Sequence, residues 1–259
     1  NKMTKVAYVE WQDGLSAKSD DWEIIVEQVK DAKADILVTN EMPFGSWRPV
    51  DHEYDLEKAA TWVNENELSL EALSSLDVNA IISSRPVIFG NKLVNEAFAL
   101  VNGDYKILHH KHYFPSEAGW HEASWFEAEL DGFSVHEVGG LNVGVLLCTE
   151  LMFNEKARHY GREGANLIVS PRASGTNIHY WEAACAMASV VSGSYVISSN
   201  RVGKSERHIP EFGGVGLAYS PGGIRIGNTG PDNPIKVIDI DVEMSNKTKN
   251  QYPCYLKYL

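Results

Sequence analysis

The chain of 259 residues is 44% hydrophobic and 22% charged, a globular composition with enough length for one large core, and residues 1–259 are read as a single domain. A formal net charge of −12 argues against nucleic acid as a partner, because phosphate binding needs a clustered basic surface, and no window approaches the roughly 18 consecutive apolar residues of a membrane span. The N-terminus lacks the apolar core of a secretion signal, and Cys148, Cys185 and Cys254 are widely spaced with no C-x-x-C pair, so a reducing, cytoplasmic location is expected.

Residues 6–9 have strand character, and Ser19 or Asp20 can cap a helix reaching about residue 34, with Trp22, Ile25, Val26 and Val29 on one face. A buried strand over Ile36, Leu37 and Val38 ends in Glu41, ahead of the breaker-rich stretch 42–47. A carboxylate there is either a functional group at a strand's C-terminal end or the first solvated residue beyond it. A second helix is predicted over 54–66, with Leu56, Ala59, Ala60 and Val63 on its apolar face, and a strand over 76–84. Segments 92–101 and 105–109 flank Asn102-Gly103, a hairpin signal because both residues tolerate positive φ. The exit strand delivers His109-His-Lys-His-Tyr113, where alternation groups Lys111 with His109 and Tyr113 and turns His110 and His112 the other way. The His110/His112 pair, with Glu117 or Glu122, invites a metal reading. No third ligand stands at a recognisable spacing, so no metal and no other cofactor is expected.

Residues 115–126 form a long Trp-rich loop holding Glu117 and Glu122, a pocket wall or a cover for the core. Residues 143–147 are apolar apart from Gly144 and read as a strand buried on both faces, ending abruptly at Cys148-Thr-Glu150. The thiol therefore falls where a buried strand gives way to a helix, at which point unpaired backbone N–H groups favour a thiolate; the alternative is an inert buried cysteine. A helix over about 155–162, a strand over 167–170, a helix over about 181–191 and a strand over 195–199 follow, and the remainder is β in character, with a turn at 220–223 and strands over 215–219 and 235–242. The order of elements runs twice through a similar unit, which suggests two packed sheets with helices outside.

Three stretches, Asn40-Glu41-Met-Pro-Phe-Gly, His110-Lys111-His-Tyr-Phe-Pro and Leu147-Cys148-Thr-Glu, together with Gly161–Pro171 and Ser198–Gly203 as flanks, resemble the carbon–nitrogen hydrolase (nitrilase) superfamily over nearly the whole chain. The resemblance implies an α/β fold, a four-layer α-β-β-α sandwich, and a Glu-Lys-Cys triad at Glu41, Lys111 and Cys148. It also implies a further glutamate after the lysine, matched best by Glu122 with Glu117 as the alternative, and a homo-oligomer. The sequence departs from the family pattern at Asn40, commonly proline, and at Thr149, often aromatic.

Such a triad suits attack on a poor electrophile such as an amide carbon: a sulfur nucleophile, a cation and a backbone N–H (Lys111, Thr149) for the oxyanion, and a carboxylate to shuttle protons. The expected reaction is hydrolysis of a small carboxamide or N-carbamoyl compound; nitrile hydrolysis and acyl transfer share the same residues. Arg172, just past a strand end, can clamp a substrate carboxylate or pair with a structural acid. Trp47, Tyr113, Trp120 and Trp125 can line an aromatic pocket or pack the core.

Overall fold

Along β1 (Thr4–Val9) side chains alternate between two cores: Val6 and Tyr8 face one cluster of buried residues, Ala7 and Val9 another. The same alternation recurs in the strands that follow, and it generates the layers of the computed structural model, which describes residues 3–129 and 131–257. The first half of the chain continues with α1 (Asp20–Ala32), β2 (Ile36–Val38), α2 (Leu56–Ser74), β3 (Ala80–Phe89), β4 (Lys92–Val101), β5 (Asp104–His110) and the short α3 (Glu122–Trp125). The second supplies β6 (His136–Val138), β7 (Leu141–Val145), α4 (Asn154–Arg162), β8 (Leu167–Val169), α5 (His179–Ser192) and β9 (Tyr195–Ser198). It ends with a small pair, β10 (Val202–Lys204) and β11 (Glu211–Gly213), then β12 (Leu217–Ser220), β13 (Ile224–Asn228), β14 (Ile235–Ile240) and α6 (Val242–Thr248).

Two six-stranded sheets result, ordered β14-β1-β2-β3-β4-β5 and β13-β12-β9-β8-β7-β6. Within them β1, β2 and β3 are parallel, as are β7, β8 and β9, while β14 returns from the end of the chain to pair antiparallel with β1. Ile36, Val38 and Ile82 from one sheet and Val143, Val145, Val169 and Ile197 from the other share the central core. On the outer faces, Trp22, Ile25 and Val29 of α1 meet Leu37 and Ile81, and Ala157 and Tyr160 of α4 meet Ile168 and Val196. Each fully buried aliphatic side chain contributes roughly 1.5–3 kcal/mol. The architecture is the expected α-β-β-α sandwich. Among the described residues no helix is long and apolar enough to cross a membrane.

Gly144, the break in the apolar run before Cys148, is required by close approach: a Cβ there would lie 2.5 Å from the Tyr160 ring, whose hydroxyl donates to Val145 O at 2.7 Å. That contact fastens α4 flat against β7.

Several boundaries differ from the sequence reading. Helix α2 runs to Ser74, and its buried line is Ala59, Trp62, Asn66, Ser69 and Leu73, with Leu56 and Ala60 in solvent. Polar side chains hide this face: Asn66 donates to Phe44 O and Trp62 O, and Ser69 to Glu65 O, so both are satisfied while buried. Strand β3 begins at Ala80 rather than residue 76, because residues 75–79 turn the chain from the helix end, with Leu76 N–H on Leu73 O and Val78 N–H on Leu76 O. Ser19 holds the N-cap position of α1, but its hydroxyl donates to Ser16 O instead of capping.

Candidate active site

Four segments meet at one edge of the sandwich, each leaving the C-terminal end of a strand or closing over it. Beyond β2, Thr39, Asn40 and Glu41 are fully buried, and Arg201 pins the turn by donating to the carbonyls of Glu41, Met42 and Gly45. Beyond β5, Lys111 extends the ladder by one bond, N–H to Asn95 O at 3.0 Å. A register shift in β4–β5 pairs Ala97 with His109 and Phe98 with Ile107, leaving Leu108 as an extra residue just before the His-Lys run; such bulges re-aim the side chains that follow. Beyond β7, Leu146 and Cys148 donate to Val169 O and Pro171 O, and Cys148 then adopts φ +50 at the head of a 3-10 turn, Cys148–Met152. A non-glycine residue in that region is strained, which is common where a nucleophile is presented. Glu122 opens α3, held in place by His121 N–H to Pro49 O and Trp125 Nε1–H to Asp51 O.

Lys111, Glu41 and Glu122 are all fully buried. Lys111 Nζ lies 2.9 Å from Glu41 Oε2 and 2.7 Å from Glu122 Oε1, and Asn95 Nδ2 donates to Glu41 Oε2 at 3.0 Å. Among the described residues, Glu41 Oε1 and Glu122 Oε2 have no hydrogen-bond partner. Buried carboxylate oxygens are costly to leave unpaired, so these two atoms mark where a substrate or water would be received. Burial opposes the Lys111 charge, but Glu122, Glu41 and Cys148 outweigh it and set its pKa above the ordinary value. Burial, aided by Glu41 and against Lys111, pushes Glu122 up to about 7. Burial and then the Glu41 carboxylate push Cys148 up to about 12, against the pull of Lys111 and an N–H bond from Ala173. Desolvation and the neighbouring carboxylates thus favour the neutral thiol, against the backbone dipoles that favour a thiolate.

A cavity of about 210 Å³ opens over Cys148 and is bordered by Thr149, Trp120 and Trp181. Arg172 does not reach the cavity: it is fully buried, donates to Ser198 Oγ (2.8 Å), Ser174 Oγ (3.0 Å) and Val215 O (2.5 Å), and lies over the Trp181 ring. With three of its five N–H donors engaged by the protein and its side chain enclosed away from the cavity, Arg172 is not placed as the expected carboxylate clamp. Tyr113 stacks on Phe153 at 4.1 Å instead of facing the cavity, because regular strand pairing ends at His110 and alternation no longer fixes its direction. Trp47 and Trp125 are core residues, so of the four aromatics only Trp120 borders the cavity, joined by Tyr180 and Trp181 from α5. Glu122, rather than Glu117, is the glutamate on Lys111.

His110 and His112 do not share a face as a ligand pair. His110 bonds Glu96 at 2.7 Å, while His112 swings back beside His109, with ring centroids 5.6 Å apart. His109, His112 and Glu150 do present ligand atoms within 4.8 Å of one another. Their polar atoms are engaged with protein groups: Glu150 accepts from His109 Nε2 and the backbone N–H groups of His112 and Leu147. Asn95, Glu150 and Arg201 are the positioning residues that sequence reasoning missed. For Asn95 the available signal was polarity inside the otherwise largely apolar β4.

The sequence pattern of the carbon-nitrogen hydrolase family matches residues 8–250. The chain belongs to that family. A glutamine-dependent NAD(+) synthetase of Xylella fastidiosa is 26% identical over 153 residues, 58% of this chain and 27% of the synthetase. An omega-amidase of Xenopus tropicalis is 29% identical over 125 residues, 48% of this chain and 45% of the amidase. The chain therefore spans less than half the length of these curated relatives. Among solved structures, a carbon-nitrogen hydrolase from Helicobacter pylori superimposes with a TM-score of 0.86 at 19% identity, covering 98% of this chain and 94% of that one, which shows the fold.

Proposed function

We propose that the protein hydrolyses the C–N bond of a small carboxamide or N-carbamoyl compound through a thioester on Cys148, releasing ammonia or an amine. The observation that carries this reading is a buried ammonium held between two carboxylates that each keep one oxygen unspent, beside a cysteine on a left-handed turn that borders a cavity. Kinship with an omega-amidase and with a glutamine-dependent enzyme adds support for amide chemistry.

The steps follow from the charges. As the neutral Cys148 sulfur attacks the carbonyl carbon, its proton passes to Glu41 Oε1. The carbonyl oxygen becomes an alkoxide, stabilised by the Lys111 ammonium and the Thr149 backbone N–H, in a site where a fixed charge is worth more than in water. Glu41 returns the proton to the leaving nitrogen, the C–N bond breaks, and the acyl group remains on sulfur. Water then enters, Glu41 removes its proton as it attacks the thioester, and the acid leaves as the thiol is restored. Lys111 keeps its proton throughout, as its two carboxylate partners require. Glu122 orients Lys111 and, through Oε2, the attacking water.

The test is ammonia release from a panel of small amides, N-carbamoyl acids and nitriles, with wild type and Cys148→Ala. Release from an amide or carbamoyl compound by wild type alone is expected. Release confined to nitriles, or equal release by Cys148→Ala, would overturn the reading.

A further inference from the structure

Resting on the amide-hydrolase reading above, we infer that the Cys148 cavity selects amides whose acyl tail carries a positive charge, and that Glu117 at its rim is the specificity-determining residue. Of the described residues bordering the cavity, Glu117 carries the one formal charge, and no cation borders it. The arginine best placed in sequence to bind an anion, Arg172, is enclosed and spends its guanidinium on Ser198, Ser174 and Val215 O. At the reacting end the charge also runs negative, since one ammonium sits between two carboxylates. An anionic tail would meet the Glu117 carboxylate with no cation bordering the cavity to pair it.

Glu117 is held to this place by its backbone. Its N–H and C=O exchange bonds with Trp120 at 3.3 and 2.8 Å across a tight turn, where Gly119 takes φ +89 and packs against Pro210. Trp120 Nε1–H donates to Ala173 O at 2.7 Å, which locks the turn onto the residue next to Arg172. Among the described residues no cation pairs with the Glu117 carboxylate, and its side chain is exposed. Trp120, Trp181 and Tyr180 complete the wall, and aromatic faces beside a carboxylate form a receptor for an ammonium group. A cavity of about 210 Å³ lies below the usual range for larger ligands, so the tail is short.

Three amides of matched length separate the possibilities: β-alaninamide (cationic), butyramide (neutral) and succinamate (anionic), each assayed for kcat/KM with wild type, Glu117→Gln and Glu117→Lys. The expected order in wild type is cation over neutral over anion, with about a tenfold or larger ratio between the extremes, as one charge a few ångströms from a partly solvated tail provides. Glu117→Gln should shrink the cation-to-anion ratio by about tenfold, and Glu117→Lys should invert it. Preference for succinamate in wild type, or a ratio unmoved in both variants, would overturn the inference while leaving amide hydrolysis intact. No turnover of any of the three, with no acyl adduct on Cys148, would instead overturn the amide-hydrolase reading and this inference with it.

Discussion

Lys111 and Glu150 are both completely enclosed among titratable neighbours, Glu150 two residues after Cys148 and Lys111 within its electrostatic reach, yet their surroundings differ in one decisive respect. Around Lys111, two carboxylates share one cation and one amide, and an oxygen of each is left over. Around Glu150, donors match acceptors: His109 Nε2 and the Leu147 N–H on one oxygen, the His112 N–H on the other, with His112 Nδ1 on His110 O. The consequences appear in the acidities. Burial raises both Glu150 and Glu122, but for Glu150 the donors win and its pKa lies below the ordinary value, whereas Glu122 is pushed up to about 7. Depth alone therefore does not separate the two sites; the pair of carboxylates on one ammonium, each with an oxygen unspent, does. Glu150 belongs to the scaffold, tying the segments on either side of Lys111 to the turn of Cys148.

Substitutions on the two sides should fail in different ways. Glu41→Gln keeps the shape and removes the proton shuttle, so kcat should fall by about 10²–10⁴-fold. The thermal midpoint should hold or rise, because a buried charge has been removed. A fall in midpoint with activity retained would place Glu41 with Glu150. Glu150→Ala should do the reverse, costing about 3–5 kcal/mol of stability by stranding three donors, measured by urea unfolding. A stable Glu150→Ala protein would break the comparison from the other side.

The smallest effect is a pH dependence. With the Glu122 pKa at about 7, kcat/KM should climb as pH rises through 7 and the carboxylate that holds Lys111 ionises. Glu122→Gln should flatten that limb as well as slow the reaction. The sign for stability is opposite. The folded state binds this proton more tightly than the unfolded chain, where the value is near 4.5, so the contribution is fully present below pH 4.5 and lost as pH rises to about 7. Chemical denaturation of wild type and Glu122→Gln at several pH values reads this directly; an unchanged slope in the variant would remove Glu122 from the coupled cluster.

Much of this was legible in the chain. Continuous apolar runs marked the inner strands; Glu41 and Cys148 stood directly after strand ends, while Lys111 and Glu122 were picked out by the resemblance to the carbon–nitrogen hydrolase family. What sequence left open were matters of direction. Arg172 follows a strand end as an anion clamp would, but only the packing of Ser198, Ser174 and Val215 decides that its guanidinium turns inward. Tyr113 lay beyond the last ladder pair, so alternation no longer governed it. The second helix hid its true face behind Asn66 and Ser69, whose satisfied side chains cost little to bury. Asn95 and Glu150 look like ordinary interruptions until the register shows what they hold.

The most direct test is intact-protein mass spectrometry of the wild type and Cys148→Ala, quenched in acid during turnover of an amide that releases ammonia, with peptide mapping of the adduct. The account predicts an added acyl mass on the peptide bearing Cys148 in wild type and none in Cys148→Ala, whose turnover should drop on the order of 10⁴-fold or more. Ammonia release without any adduct on Cys148, or with the adduct on Cys185 or Cys254, would contradict it.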